Sequence, residues 1–222
     1  MLMVSGCAAT GRRATAAPSS PSASALKRVE QALIMPRATG KPDPVRYGVA
    51  SGPFEKIIKE LIAGPREPDA CVWGQTSSGQ LEGVTTGPVR SAAALGIWTD
   101  SARSVMVSES IVALPDTTAS KLIAKPITTQ CRDHHFRSNG EAMRMFVESD
   151  NVRRRGGRIE RLTTYILSTP TGAQRHQYAI IRVNGHVVFL ALSPARKPPA
   201  PGSYTTITQE AGTQAVTVLG RL

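Results

Sequence analysis

The segment that most limits what this chain can fold into is RHQYAIIRVNGHVVFLAL, from Arg175 to Leu192. Two apolar runs flank Asn184-Gly185, a dipeptide suited to a two-residue type I′ turn because both central residues take φ > 0. Such a turn sets the register: Val183 faces His186, Ile181 faces Val188 and Ala179 faces Leu190 on one side. Arg182 with Val187, Ile180 with Phe189 and Tyr178 with Ala191 take the other. Both sides are mostly apolar, which predicts a central hairpin covered on at least one side and partly on the other. This places the core. It says nothing yet of function.

A length of 222 residues accommodates one domain with a tail. No apolar run approaches the roughly 18 to 20 residues of a membrane-spanning helix. Leu26, Val29 and Leu33 share a helical face, so Leu26 to Ile34 reads as a short helix ended by Pro36. Residues 53–63, PFEKIIKELIA, make the strongest helical pattern: Pro53 suits a first turn, Ser51 is the expected cap, and Phe54, Ile57, Ile58, Leu61 and Ile62 form one stripe. That stripe is expected to cover the sheet of the central hairpin. Strands are expected at 90–98 and 104–114, then a helix at 117–125 capped by Asp116, then a strand from Met143 to Glu148, with a helix there as the alternative. SDNVRRRGG reads as a loop, 159–168 as a strand, and 205–219 as a terminal helix carrying Ile207, Ala211, Ala215, Val218 and Leu219. The expected fold is α+β: an antiparallel sheet with helices packed on one face and one disulfide.

Three cysteines leave an odd one to explain. Val4-Ser5-Gly6-Cys7 has the form of a bacterial lipobox, in which the cysteine becomes the lipidated first residue. Cys71 and Cys131 then form a disulfide in an oxidising compartment, worth about 4 kcal/mol in the chain-entropy model. Residues 1–7 read as a truncated signal peptide with its lipobox. Only six residues, none of them Lys or Arg, precede Cys7, so this reading requires a start upstream of Met1. Residues 8–25 are Ala-, Ser- and Pro-rich and read as a disordered linker, leaving 26–222 as the folded domain. The competing reading is a cytosolic protein with three reduced thiols.

The formal charge of +11 makes nucleic acid the first partner to consider, ahead of an anionic membrane or an acidic wall polymer. The basic residues are scattered, however, and are not interleaved with aromatics as in single-strand binders. We read a general surface charge and no nucleic-acid partner. The exception is Arg153-Arg154-Arg155 with Arg158, a cluster able to clamp a phosphate or carboxylate; its ordinary role is a solvated hairpin tip. Asp133-His134-His135 is the one clustered donor set, but neighbours on a strand point apart and lack helical i, i+4 spacing, so no metal is assigned. No cofactor motif appears, nor a G-x-S-x-G elbow, nor S-x-x-K with its companions. Cys131 beside Arg132 is better explained as a bridge to Cys71 than as a nucleophile. Trp73 and Trp98 read as buried packing rather than groove lining.

The order helix, Cys71, V-x-E-S-x-V-x-L-P (Val107 to Pro115), short helix, Cys131, meander and terminal helix resembles the extracellular PknH-like sensor domains of mycobacteria, including their lipoprotein form. NGHVVFLAL with its trailing helix is the second point of likeness, and the resemblance spans roughly residues 50–220. It implies a twisted antiparallel sheet flanked by helices and a cleft for an unidentified ligand. It carries over no catalytic residue. The family commonly holds two disulfides where this chain can form one. The expectation is a non-enzymatic lipoprotein on the extracytoplasmic face of the membrane, binding a small molecule, lipid or cell-wall component. The alternatives are a secreted hydrolase whose catalytic group the sequence does not reveal, and a basic cytosolic nucleic-acid-binding protein.

Overall fold

The computed structural model describes residues 20–34, 46–57, 69–74, 79–80, 91–138 and 140–220. In chain order the elements are α1 (Ala23–Ala32), β1 (Arg46–Pro53), α2 (Ala70–Trp73), β2 (Ala92–Asp100), β3 (Val105–Ala113) and α3 (Asp116–Ala124). A 3-10 turn at Thr129–Cys131 leads to β4 (Asp133–Ser138), β5 (Glu141–Arg155), β6 (Arg158–Thr169), β7 (Gly172–Val183), β8 (His186–Pro194) and α4 (Ser203–Leu219). The eight strands form one open sheet in the order β1-β2-β3-β8-β7-β6-β5-β4, every neighbour antiparallel.

The hairpin forms as its sequence demands. Asn184 and Gly185 take φ of 37° and 70°, and Val183, Ile181 and Ala179 stand opposite His186, Val188 and Leu190. Because both faces of this hairpin are apolar, both need a cover. On one face α1 and α4 pack Val29, Ala32, Ile207 and Ala211 into a cluster with Ala179, Ile181, Val188 and Leu190. On the other, Phe54 and Ile57 join Ala119, Leu122 and Ile123 of α3 over Ile180, Val187 and Phe189. The helices therefore lie on two faces of the sheet, not one. The architecture is mostly β, and the α+β description fits it only roughly.

Local differences from the sequence reading have physical causes. Helix α1 starts at Ala23 rather than Leu26, because Ser22 accepts a hydrogen bond from the Ala25 N–H at 3.2 Å and so caps it earlier. Pro53 closes β1 instead of opening a helix, and the Ser51 hydroxyl donates to Glu30 at 3.0 Å. Phe54 to Ile57 are helical as expected, and the remainder of that stripe lies outside the described residues. Asp116 does not cap α3; Pro115 occupies the cap, and the Asp116 carboxylate pairs with Arg182 at 3.1 Å. Residues 149–155 form no loop. Strand β5 runs on to Arg155 past a bulge between Val147 and Ser149, placing Arg153 opposite Glu160. Charge pairs hold this part of the ladder, so apolar alternation stops too early to mark it.

One carboxyl stands against the apolar logic of the core. Glu109 of β3 is fully buried between Gly96 and Leu190. Its Oε2 accepts the Ile34 N–H at 2.9 Å, just beyond α1, while Oε1 has no partner among the described residues. Burial pushes its pKa up from 4.5 to about 8. The fold binds this proton more tightly than the unfolded chain does, so its contribution is complete at acid pH and is lost as pH rises toward 8. Half-buried His176 acts in the opposite direction: desolvation lowers it from 6.5 to about 4, which weakens the fold as pH falls below 6.5. The Glu109 effect is thus cleanest between pH 6.5 and 8. Urea titrations across that window should show wild-type stability falling by about 2 kcal/mol. Glu109→Gln should be flat there and more stable at the alkaline end. A slope that persists in the variant would remove Glu109 as its source.

Candidate functional site

Among the described residues, a cleft is built where the chain leaves the hairpin. After β8 the sequence ARKPPAPG cannot continue as strand or helix, because Pro198, Pro199 and Pro201 lack the amide hydrogen both require. It forms a strap that ends at Gly202, whose φ of 79° precedes α4 in a left-handed conformation that glycine adopts without Cβ strain. Two hydrogen bonds fasten the start of α4 to β7. The Tyr204 hydroxyl donates to the Arg175 carbonyl at 2.7 Å, and the Gln177 amide donates to the Thr208 hydroxyl at 2.7 Å.

Between the strap, the first turn of α4, the middle of β5 and the adjoining parts of β6 and β7 lies a cleft of about 820 Å³. Thr164 and Gln177 are cross-strand neighbours in its lining. Ser149, Ser203 and Thr205 add hydroxyls, and the Arg175 guanidinium pairs with Glu148 at 2.8 Å. Arg196 and Lys197 stand exposed on the strap. Burial pushes the Tyr204 phenol well above its usual range, so it stays protonated as a donor. The volume is that of an ordinary small-molecule site. The lining offers hydroxyl and amide groups with cations at the rim, which suits a polar ligand better than an acyl chain. None of the four histidines lines it.

The arginine cluster divides. Arg153 and Arg158 both donate through Nε to the buried carboxylate of Glu160, Arg153 at 2.7 Å. Burial raises the Glu160 pKa, but the two guanidiniums more than offset this and hold it below the usual carboxylate range. These two arginines already have their anion. Arg154 and Arg155 are exposed at the β5–β6 tip beside Gly156 and Gly157. Arg158 also explains a glycine inside α4. A Cβ on Gly212 would stand 2.6 Å from the Arg158 guanidinium carbon.

Cys71 and Cys131 form the expected disulfide. Beside it, His134 Nε2 meets the Asp69 carboxylate at 2.7 Å, and Asp69 caps α2 by accepting the Cys71 and Val72 N–H groups. His135 is exposed, and Trp98 is buried in the core. Cys7 and the Trp73 side chain lie outside the described residues. Sequence reasoning did not find the cleft, since Glu148, Thr164, Gln177 and Tyr204 come from four separate elements. The proline strap was its one visible signal.

No family model matches the sequence, and no curated protein does. Among solved structures, the extracellular domain of PknH from Mycobacterium tuberculosis aligns over 79% of this chain and 84% of its own, at 13% identity and a TM-score of 0.45. An uncharacterised protein of Mycobacterium smegmatis, the Rv0999 ortholog, aligns over 80% of each chain at 11% identity and a TM-score of 0.38. Cyanobacterial PsbP from Synechocystis sp. PCC 6803 covers 54% of this chain and 70% of its own, at 12% identity and a TM-score of 0.31.

The Gly212–Arg158 contact sets two effects against each other. Helix propensity alone predicts that Gly212→Ala stabilises by roughly 1 kcal/mol. The close guanidinium predicts a loss of about 1 to 3 kcal/mol, because the ion pair with Glu160 must shift. We expect the loss, read from urea unfolding midpoints; an increase would show that Arg158 yields without cost.

Proposed function

We propose that this chain is a non-enzymatic, extracytoplasmic binding domain, anchored to the membrane through a lipid on Cys7, whose cleft beside the proline strap binds a polar small molecule or cell-wall fragment. The observation that carries this reading is the cleft of about 820 Å³, lined by hydroxyls and amides and fastened by Tyr204 and Gln177. The disulfide supports an oxidising compartment, since such bridges are rare in the reducing cytosol. Among the described residues no helix is long and apolar enough to cross a membrane; the proposed lipid anchor rests on the lipobox form of Val4-Ser5-Gly6-Cys7. The hydroxyl-rich lining favours a polar ligand over a lipid. Two of the four clustered arginines are engaged by Glu160, which weakens the case for a phosphate-tracking nucleic-acid surface.

Two measurements test this. Intact mass of the protein from its native host should show a chain beginning at Cys7 with added acyl mass, and two thiols that appear only on reduction. A chain with Cys7 unmodified would remove the anchor. For the cleft, soluble muropeptides and hexose phosphates should be titrated by calorimetry into the wild-type protein and a Thr164→Trp variant, whose indole would fill the cleft floor. Saturable binding at least about ten-fold weaker in the variant is expected for a ligand of this site. Absence of binding across both probe classes, or equal affinity in the two proteins, would overturn the assignment of the cleft.

A further inference from the structure

The disulfide lies in a donor set that its oxidation masks. A carboxylate oxygen of Asp69, Sγ of Cys71 and a ring nitrogen of His134 all lie within 4.8 Å of one another. The Cys131 sulfur is not one of these three donors, but it is bonded to that of Cys71, so opening the bridge frees a fourth donor next to the set. In the oxidised protein the sulfurs are not thiolates, and His134 with Asp69 forms only a hydrogen-bonded pair at 2.7 Å. We propose that reduction of Cys71–Cys131 converts this cluster into a tetrahedral site for a zinc-like divalent cation, with Cys71, Cys131, His134 and Asp69 as ligands.

The chemistry of the set fits such an ion. Two thiolates, one imidazole and one carboxylate suit a borderline-soft metal with no geometric demand beyond four-coordination. At ordinary zinc bond lengths, ligand atoms stand about 3.3 to 3.8 Å apart, so the two sulfurs must part by roughly 2 Å from bonding distance while the Asp69 and His134 donors already lie within 4.8 Å of Cys71 Sγ. Within each half of the bridge the backbone fixes the two donors relative to each other. Asp69 caps the helix that carries Cys71, through bonds of 2.9 and 3.1 Å, which holds those two donors together. Cys131 closes the 3-10 turn that leads into β4, where His134 is held opposite Met145 of β5. Each half of the disulfide thus brings one further ligand with it. A metal would restore the cross-link that reduction removes.

The electron and proton balance is simple. A dithiol donor passes two electrons and two protons to the Sγ–Sγ bond, which opens to two thiols while the donor closes to its own disulfide. Binding of the dication then displaces both thiol protons to solvent. His134 donates its Nε2 proton to the Asp69 carboxylate in the oxidised protein; on metal binding that proton passes to solvent while Nδ1 takes one up, which leaves the neutral imidazole with its Nε2 lone pair on the metal.

The test uses the full chain with Cys7→Ser, which leaves only the two thiols in question, reduced by a phosphine that does not compete for metal as a dithiol would. Titration with Co²⁺ should give one equivalent of thiolate-to-cobalt charge-transfer absorption together with tetrahedral d–d bands, both absent from the oxidised protein. Asp69→Asn keeps the helix cap but removes the anionic ligand, and His134→Gln removes the imidazole. Each should weaken Co²⁺ binding at least about ten-fold. Zn²⁺ should raise the urea midpoint of the reduced protein and leave that of the oxidised protein unchanged. The proposal is overturned by reduced protein that shows no charge-transfer band. Affinity unchanged in both variants would overturn it too, because the thiols would then be chelating without the site.

Discussion

Everything in this fold leans on the pairing of β7 with β8. A two-residue turn at Asn184-Gly185 locks the register, and the register puts apolar side chains on both faces at once. A sheet with two apolar faces cannot leave either to water, so the chain supplies α1 and α4 on one side and α3 with Phe54 and Ile57 on the other. The remaining strands extend this centre outward. Toward β4 and β5 the burial declines, and ion pairs such as Arg161–Asp150 at 2.7 Å and Arg144–Asp133 at 2.6 Å take over between neighbouring strands.

Two carboxylates show how differently the fold treats buried charge. Glu160 meets two guanidiniums and stays ionised, so its burial is compensated by partners on its own sheet. Glu109 meets one backbone N–H and is held toward its neutral form. The first arrangement also shapes α4, because Arg158 needs the space that only Gly212 leaves. The second ties the segment after α1 to the middle of the sheet.

The cleft and the disulfide cluster sit on separate parts of this frame. The cleft depends on the strap and on two hydrogen bonds that seat α4 on β7. The disulfide joins α2 to the turn before β4, beside a smaller cavity of about 140 Å³ lined by Arg161, Thr163 and Tyr178. Among the described residues the strap thus frames a recess rich in hydroxyls and amides, and the cross-link has a carboxylate and an imidazole beside it.

The sequence by itself determined the elements whose physics is local. Asn-Gly specifies its turn, the Ile207–Leu219 stripe specifies α4, and Cys71 and Cys131 are joined as the cysteine count suggests. It was misleading where a residue answers to a distant partner. Asp116 reads as a cap yet pairs with Arg182, and Ser149 to Arg155 reads as a loop yet pairs with β6. His134 reads as a loop histidine and lies against Asp69, 65 positions away. The two-sided helical cover, the cleft and the donor cluster were decided only by tertiary structure. Each is made of groups far apart in the chain, and their approach depends on strand order, which the periodicity of any one segment does not encode.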